Sequence, residues 1–350
     1  MTIITPSKTS SLGRLNRILS GSKYSDARYF ILVDENTYSH CLAKLISNVE
    51  QLQSAEFFEV PVGEECKDIA IAQQLWETLL ESDADRNTII VNLGGGCVSD
   101  LGGFVAAGYK RGIRYINIPT SLIGMIDASI GGKTAVNVGA SKNQVGFFLQ
   151  PEITCIHPAF LDTLPDEEIF NGIFEMLKTF LIADPEKYHQ LCEIILSGTL
   201  VVLPEMITAC AEIKAAVVKQ DPEDRSIRHI LNFGHTFGHA IESFSRQPGQ
   251  KPLPHGMAVG IGMVCALYLS VQKLGLGQEH LEYYRQVASK LVKMPQYSLA
   301  DTEQILAFMR QDKKNADGEI RCVLMQELGA PVIDLPIDEN ELRTALLKIQ

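Results

Sequence analysis

Residues 88–107, TIIVNLGGGCVSDLGGFVAA, are the stretch from which the fold can be read. Thr88 to Leu93 is a short apolar run of strand length. It enters Gly94, Gly95 and Gly96 directly, and a helix is predicted from Ser99 to Ala107, opened by Ser99 and Asp100, residue types that suit a helix N-terminus. Glycines between a strand and a helix let the main chain approach a pyrophosphate seated on the helix N-terminus. The spacing departs from GxGxxG because Ser99 occupies the third glycine position, and a tight turn needing positive φ explains the glycines equally well.

Outward from this stretch the pattern repeats. Tyr29 to Val33 is an apolar run ending in Asp34-Glu35-Asn36, and a helix is predicted from about Tyr38 to Leu52. Phe57 to Val62 reads as a strand, Ala70 to Leu80 as an amphipathic helix, and Tyr115 to Ile118 as a strand stopped by Pro119. Strand and helix alternation of this kind predicts a parallel sheet with helices on its faces. Residues 120–151 are spaced too irregularly for a helix or an amphipathic strand and are expected to be a long functional loop. Asp127, Lys133, Lys142 and Asn143 lie in it, where lysines beside glycine and threonine suit a phosphate or hydroxyl group, although any one of them reads as readily as a solvated charge.

Near Phe160 the period changes to 3.6. Helices are predicted over Asp166–Leu181, Pro185–Leu196, Pro204–Val218, Arg228–Phe244, Met257–Lys273, Gln278–Lys293 and Thr302–Arg310, then a hairpin about Leu328-Gly329 and a closing helix from Glu339. The division predicted is 1–160, α/β, and 161–350, mostly helical. A chain of 350 residues, 46% hydrophobic and 21% charged, has material for two cores. Its net charge of -11 argues against a nucleic acid or anionic membrane as partner. The 8 cysteines form no CxxC pair and fit a reducing, cytoplasmic setting. The N-terminal residues lack an apolar core of signal-peptide length, and the apolar run Gly256–Val271 is too short and glycine-rich to span a bilayer.

Residues 231–242, LNFGHTFGHAIE, set His235 and His239 four apart on one helix face, with His255 following in PLPHGM. Three histidines are a candidate zinc set with a fourth position open, against ordinary hydrogen-bonded helix histidines. Glu175 lies in the apolar stretch GIFEMLKTF with Lys178 one turn on, either a carboxylate for the metal or half of an i, i+3 ion pair. Lys214 sits in another apolar helix, and Arg228 and Asn232, four apart, precede His235. A metal site edged by a phosphate site accounts for this set.

The block from GGGCVSDLGG to NQVGFFLQP resembles 3-dehydroquinate synthases, as do GIFEMLKTFLIAD, LNFGHTFGHAIE, LPHGMAVGIGM and DKKNADGEIR, so that the resemblance runs from about Ile31 to the C-terminus. It implies a Rossmann-like NAD-binding α/β domain, a helical metal- and substrate-binding domain, an active site between them, and a homodimer. It implies Glu175, His235 and His255 as ligands of zinc or cobalt, which moves His239 to substrate contact. Asp34, Glu64, Lys67, Gly95, Gly96, Asp100, Thr120, Ser121, Asp127, Lys142, Asn143 and Thr163 match NAD positions. Asp127, Lys133, Lys178, Lys214, Arg228, Asn232, His239 and one of Lys313 and Lys314 match substrate positions, and Arg111 matches an arginine lent across the dimer. The implied enzyme is a carbon–oxygen lyase of the shikimate pathway. It takes a seven-carbon keto sugar acid phosphate to 3-dehydroquinate by NAD oxidation, phosphate elimination, reduction, ring opening and intramolecular aldol closure.

Departures from the family pattern are Asp224 and Ser226, where glutamate and glycine are usual, Ser121, where threonine is common, and a longer insertion, SRQPGQKPLP, before His255. A sister cyclase tends to change the asparagine and second histidine, here Asn232 and His239. A polyol dehydrogenase has no use for a cage of Lys133, Lys178, Lys214 and Arg228. A catalytically silent scaffold is expected to have lost one of Glu175, His235 or His255.

Overall fold

The glycine-rich stretch sits at the centre of a parallel sheet. The structure, a computed structural model, describes residues 1–6, 10–139, 141–198, 201–311 and 319–349. The chain forms two units, 1–169 with 207–215 and 170–206 with 216–350. The cut at 169/170 lies beside the boundary expected at 160/161, but residues 207–215 count with the first unit, not with the second domain to which the sequence reading assigned them.

In chain order the first unit carries β1 (Thr2–Ile4), α1 (Ser11–Leu19), β2 (Tyr29–Asp34), α2 (Glu35–Thr37), α3 (Ala43–Asn48), β3 (Glu56–Val60), α4 (Ile69–Glu81), β4 (Ile89–Gly94), α5 (Gly96–Gly108) and β5 (Arg114–Pro119). The hairpin β6 (Lys133–Val138) and β7 (Ser141–Phe148) follows, then β8 (Ile153–Cys155). One sheet has the order β1-β8-β5-β4-β2-β3, and every pair in it is parallel. Every residue of β2 and β4 is buried, as a sheet covered on both faces requires of its central strands. The sequence reading named no element for β1, α1 or β8.

Winding reverses beside β2. The chain goes from β2 to β3 on one side, then crosses to β4 on the other. Crevices outside the carboxyl ends of strands at such a reversal are where nucleotides bind in open α/β sheets. Asp34 ends β2 and Gly94 ends β4, so both flank that point.

Some boundaries differ from expectation. Helix α5 starts at Gly96, not Ser99, because Gly95 is the extended cap and Ser99 N–H already bonds Gly95 O at 3.1 Å. The helix expected from Tyr38 starts at Glu35, capped by the Asp34 carboxylate on Thr37 N–H at 2.8 Å, and ends at Asn48, where Val49 turns extended. Residues 120–151 are not a loop: they form a helical turn, Gly124–Ala128, and the hairpin β6–β7. Residues 142–148 are exposed, so no alternation of apolar residues marked the strand; Phe147 nevertheless packs on Phe104 of α5, ring centres 5.1 Å apart.

The second unit is mostly helical: α6 (Asp166–Ala183), which begins in the last residues of the first unit, then α7 (Pro185–Leu196), α8 (Pro204–Gln220), α9 (His235–Ser245), α10 (His255–Leu274), α11 (Gln278–Ala288), α12 (Leu299–Gln311) and α13 (Glu339–Leu347). Strands β9 (Ile320–Glu327) and β10 (Ala330–Ile337) make the expected hairpin. The single helix expected over Arg228–Phe244 is two pieces, a 3-10 turn at Ile227–Asn232 and α9, broken where Gly234 takes φ +77. Helix α10 is long and apolar enough to cross a membrane, but it is mostly buried and serves as the unit's central helix.

Close packing of α5 on β4 is what sets the glycine-rich turn against the sheet. A Cβ on Gly102 would fall 1.7 Å from Asn92 Oδ1. Asn92 is fully buried and cannot swing away without breaking its 2.9 Å bond to Asn117 Oδ1. Gly102→Ala is therefore expected to destabilise the protein by about 1–3 kcal/mol, read as a lowered midpoint in denaturant unfolding with unchanged slope.

Candidate active site

In the second unit a carboxylate and three imidazoles converge. Glu175, in mid-α6, is 1% exposed. Its Oε1 lies 3.6 Å from His235 Nε2 and 3.7 Å from His255 Nε2, and its Oε2 lies 2.5 Å from Lys178 Nζ. Apart from this ion pair, neither oxygen receives a hydrogen bond among the described residues. The i, i+3 ion pair is thus present, and both of its partners are buried. The ring of His239 stands 5.3 Å from that of His235 and 5.6 Å from that of His255, and one nitrogen of each histidine lies within 4.8 Å of the others.

The histidine tautomers follow from their other partners. His235 Nδ1 is 3.2 Å from the carbonyl of Phe233, and His255 Nδ1 is 2.9 Å from Glu242 Oε2. Both partners accept only, so each Nδ1 carries a proton, and in the neutral imidazole each Nε2 has a lone pair to offer a cation beside Glu175. Burial alone would depress the His255 imidazole, but Glu242 and Glu175 outweigh it and raise its pKa. Two imidazole lone pairs and a buried carboxylate with no hydrogen bond beyond its ion pair fit a divalent cation of the zinc type.

Helix ends place these groups. His235 and His255 are the first residues of α9 and α10. No side chain of its own segment caps α10; instead Asn171, one turn before Glu175 on α6, accepts the N–H of Gly256 at 2.5 Å. Arg228 is buried, and it and Asn232 sit on the 3-10 turn, not on the α9 face that the sequence spacing suggested. Lys313 and Lys314 lie outside the described residues.

The first unit holds the residues matched to NAD. Gly95 precedes α5 without a side-chain cap, leaving the first amides of that helix for a ligand. A Cβ on Gly95 would stand 3.1 Å from Ser121 Oγ, and Thr120 N–H bonds Gly94 O at 3.0 Å, so the loops after β4 and β5 are in contact. Lys67 is 3% exposed and donates to Asp100 at 2.7 Å and Asn143 at 2.5 Å. Burial alone would depress its ammonium, but Asp100 and Glu64 raise it. Glu64 accepts from Asn137 at 3.0 Å and pairs with Lys142 at 3.6 Å. Asp127, on the helical turn, pairs with Lys214, and Lys133 opens β6. Arg111 is exposed on a turn where Lys110 and Arg111 take φ 47 and 67, and Thr163 closes the 3-10 turn Pro158–Thr163.

Residues 57–171 match the model of the 3-dehydroquinate synthase N-terminal family, and residues 172–315 that of its C-terminal family. The chain is 35% identical to a 3-dehydroquinate synthase of Parabacteroides distasonis over 95% of this chain and 93% of that protein. It is 42% identical to that of Dehalococcoides mccartyi over 84% and 80%.

The chain belongs to the 3-dehydroquinate synthase family.

Its fold is that of the sugar-phosphate cyclases. A 2-epi-5-epi-valiolone synthase from Streptomyces hygroscopicus, solved with NAD+ and Zn2+ bound, superposes with a TM-score of 0.82 at 25% identity, over 99% of this chain and 96% of that one.

Within this family member, sequence reasoning missed Glu242 and Asn171. Glu242 was detectable: it stands three residues after His239 and seven after His235, on the same face of α9. Asn171 had no such signal, because its partner is eighty-five residues away. A carboxylate that holds a ligating imidazole tunes both its orientation and its basicity. Glu242→Ala is expected to weaken zinc binding by about 10–100-fold, measured by competition with a chromophoric chelator. Unchanged zinc affinity would return Glu242 to a purely helical role.

Proposed function

We propose that this chain is a 3-dehydroquinate synthase, converting 3-deoxy-D-arabino-heptulosonate 7-phosphate to 3-dehydroquinate and phosphate. The observation that carries this reading is the convergence of Glu175, His235 and His255 in a chain matched by both family models. Those three residues would hold zinc or cobalt. Asp34, Glu64, Lys67, Gly95, Gly96, Asp100, Thr120, Ser121, Asp127, Lys142, Asn143 and Thr163 would hold NAD. The functional division proposed falls at 160/161. When bound, NAD supplies a reversible hydride acceptor and the metal a Lewis acid.

The chain's own residues do the rest. Phosphate elimination concentrates charge on the leaving group, and Lys133, Lys178, Lys214 and Arg228 are the cations assigned to neutralise it. Arg228 brings a planar fork suited to two phosphate oxygens at once. Lys178 serves two anions: it offsets the buried Glu175 and is assigned to substrate as well. Lys214 and Asp127 orient one another through their ion pair. Asn232 and His239 are assigned to the substrate hydroxyls and phosphate, fixing the conformer from which phosphate leaves. Arg111, exposed on a turn of two non-glycine residues at positive φ, suits a residue offered to a second copy of the chain, in a cytoplasmic homodimer.

A sister cyclase is the second reading. Identities of 35% and 42% to proteins named 3-dehydroquinate synthase, against 25% to the valiolone synthase, favour the first.

The test is phosphate release from 3-deoxy-D-arabino-heptulosonate 7-phosphate with NAD and zinc, after chelation, and with His235→Ala. The expected result is metal-dependent phosphate and 3-dehydroquinate with no net NADH, and loss of turnover by about 10²-fold or more in His235→Ala. Turnover of another sugar phosphate alone would make the chain a sister cyclase. Net NADH from a phosphate-free polyol would move it to the dehydrogenases.

A further inference from the structure

Between α8 and the 3-10 turn, the chain from Asp221 to Arg228 is gathered on one carboxylate. Asp221 is 6% exposed. Its Oδ1 accepts the N–H of Arg225 at 3.0 Å; its Oδ2 accepts the N–H of Ser226 at 2.7 Å, the N–H of Arg228 at 3.1 Å and the hydroxyl of Ser226 at 3.2 Å. The N–H of Arg225, helped by those of Ser226 and Arg228, holds this carboxyl down at about 2 against the effect of burial. It is therefore ionised throughout the neutral range.

Arg228 is gripped at both ends. Its main chain hangs on Asp221, and its Nη1 donates to the carbonyl of Pro222 at 3.0 Å. Farther round the loop, His229 Nε2 lies 3.1 Å from the carbonyl of Asp224, and its Nδ1 lies 3.3 Å from the Asp334 carboxylate on β10. Asp224 itself takes φ 58. A loop with a non-glycine residue at positive φ needs such anchors, because the local conformation is held by its surroundings. The Ser226 hydroxyl adds a bond to Asp221 that a glycine at this position would lack.

We propose that Asp221 is the positioning residue for Arg228: its carboxylate folds the loop that aims the guanidinium at the substrate phosphate, and Ser226 reinforces that fold in this chain. The inference rests on the phosphate-binding role given to Arg228 under the proposed function. Guanidinium–phosphate recognition is bidentate, so a small shift of the arginine main chain costs affinity for phosphate specifically. Asp221→Asn keeps the shape but turns an amide N–H₂ toward main-chain donors, leaving at least one of them unpaired.

The test is a double-mutant cycle on the NAD- and zinc-loaded protein. Asp221→Asn and Ser226→Gly are made alone and with Arg228→Ala. Dissociation constants are measured for inorganic phosphate, NAD and zinc, with kcat and KM for the sugar phosphate. Asp221→Asn is expected to weaken inorganic phosphate about tenfold and raise KM, with NAD and zinc held within about twofold, and to add nothing in the Arg228→Ala background. Ser226→Gly is expected to act in the same direction by about twofold. Equal losses with and without Arg228, or parallel losses for NAD and zinc, would make Asp221 merely structural and overturn the inference. Should Asp221→Asn fail to fold, Ser226→Gly carries the cycle, and unchanged phosphate affinity there overturns it. Wild-type protein that neither binds phosphate nor turns over a sugar phosphate would overturn the proposed function and this inference with it. Wild-type binding that Asp221→Asn leaves untouched overturns this inference alone.

Discussion

Burying an ionised carboxylate costs on the order of several kcal/mol unless cations and donors surround it. Glu175 is such a carboxylate, 1% exposed, with the Lys178 ammonium 2.5 Å away and no other hydrogen bond to either oxygen among the described residues. The second unit is built around its compensation. Lys178, on the same face of α6, supplies the opposite charge, and α9 and α10 both begin with an imidazole whose Nε2 comes within 3.7 Å of the carboxylate, where a cation would be shared among them. Helix N-termini carry partial positive charge, so starting both helices here lends further compensation. Asn171 then ties the start of α10 to the helix that bears the carboxylate. The same arrangement that makes the charge tolerable prepares it for a divalent cation.

The first unit solves a different problem with the same means. Its parallel sheet leaves main-chain amides at the carboxyl ends of β4 and β5, and an anionic ligand there must be drawn into a chain of net charge -11. Lys67 is not a loose cation for that purpose. Asp100, Asn143 and Glu64 hold it, so its charge organises the hairpin and α5 about the glycine-rich turn. Asp127 and Lys214 make a second such pair. In both units cations are matched to acids before any ligand arrives, which keeps an acidic protein from repelling its anionic ligands locally while its surface stays negative.

Much of this was legible in the residues. The apolar runs of β2 and β4 and the change to a 3.6 period near Phe160 each have one physical reading. The glycines after β4, the spacing of His235 and His239, and Glu175 with Lys178 in an apolar helix marked the right places but each left two readings open. What stayed hidden lacked a local signature. The hairpin β6–β7 is largely exposed on β7, so no burial pattern marked it. The break before α9 rests on the single positive φ of Gly234, in a stretch whose period continues across it. The catch of Gly256 by Asn171 and the hold of Asp334 on His229 join residues far apart in the chain, so neither spacing nor composition carries them.

By itself the sequence determined the class of each half, the candidate metal ligands and the cations, because periodicity and residue chemistry are local properties. Tertiary structure decided three things. It buried Glu175 and Lys178 together, so that a pair worth tenths of a kcal/mol at a surface became the constraint on a whole unit. It enlisted Glu242 as the acceptor that holds a proton on His255 Nδ1. It also gathered the loop from Asp221 to Arg228 on one carboxylate. Each depends on which groups lose contact with water and on who then supplies their hydrogen bonds, and that is settled only when the chain has folded.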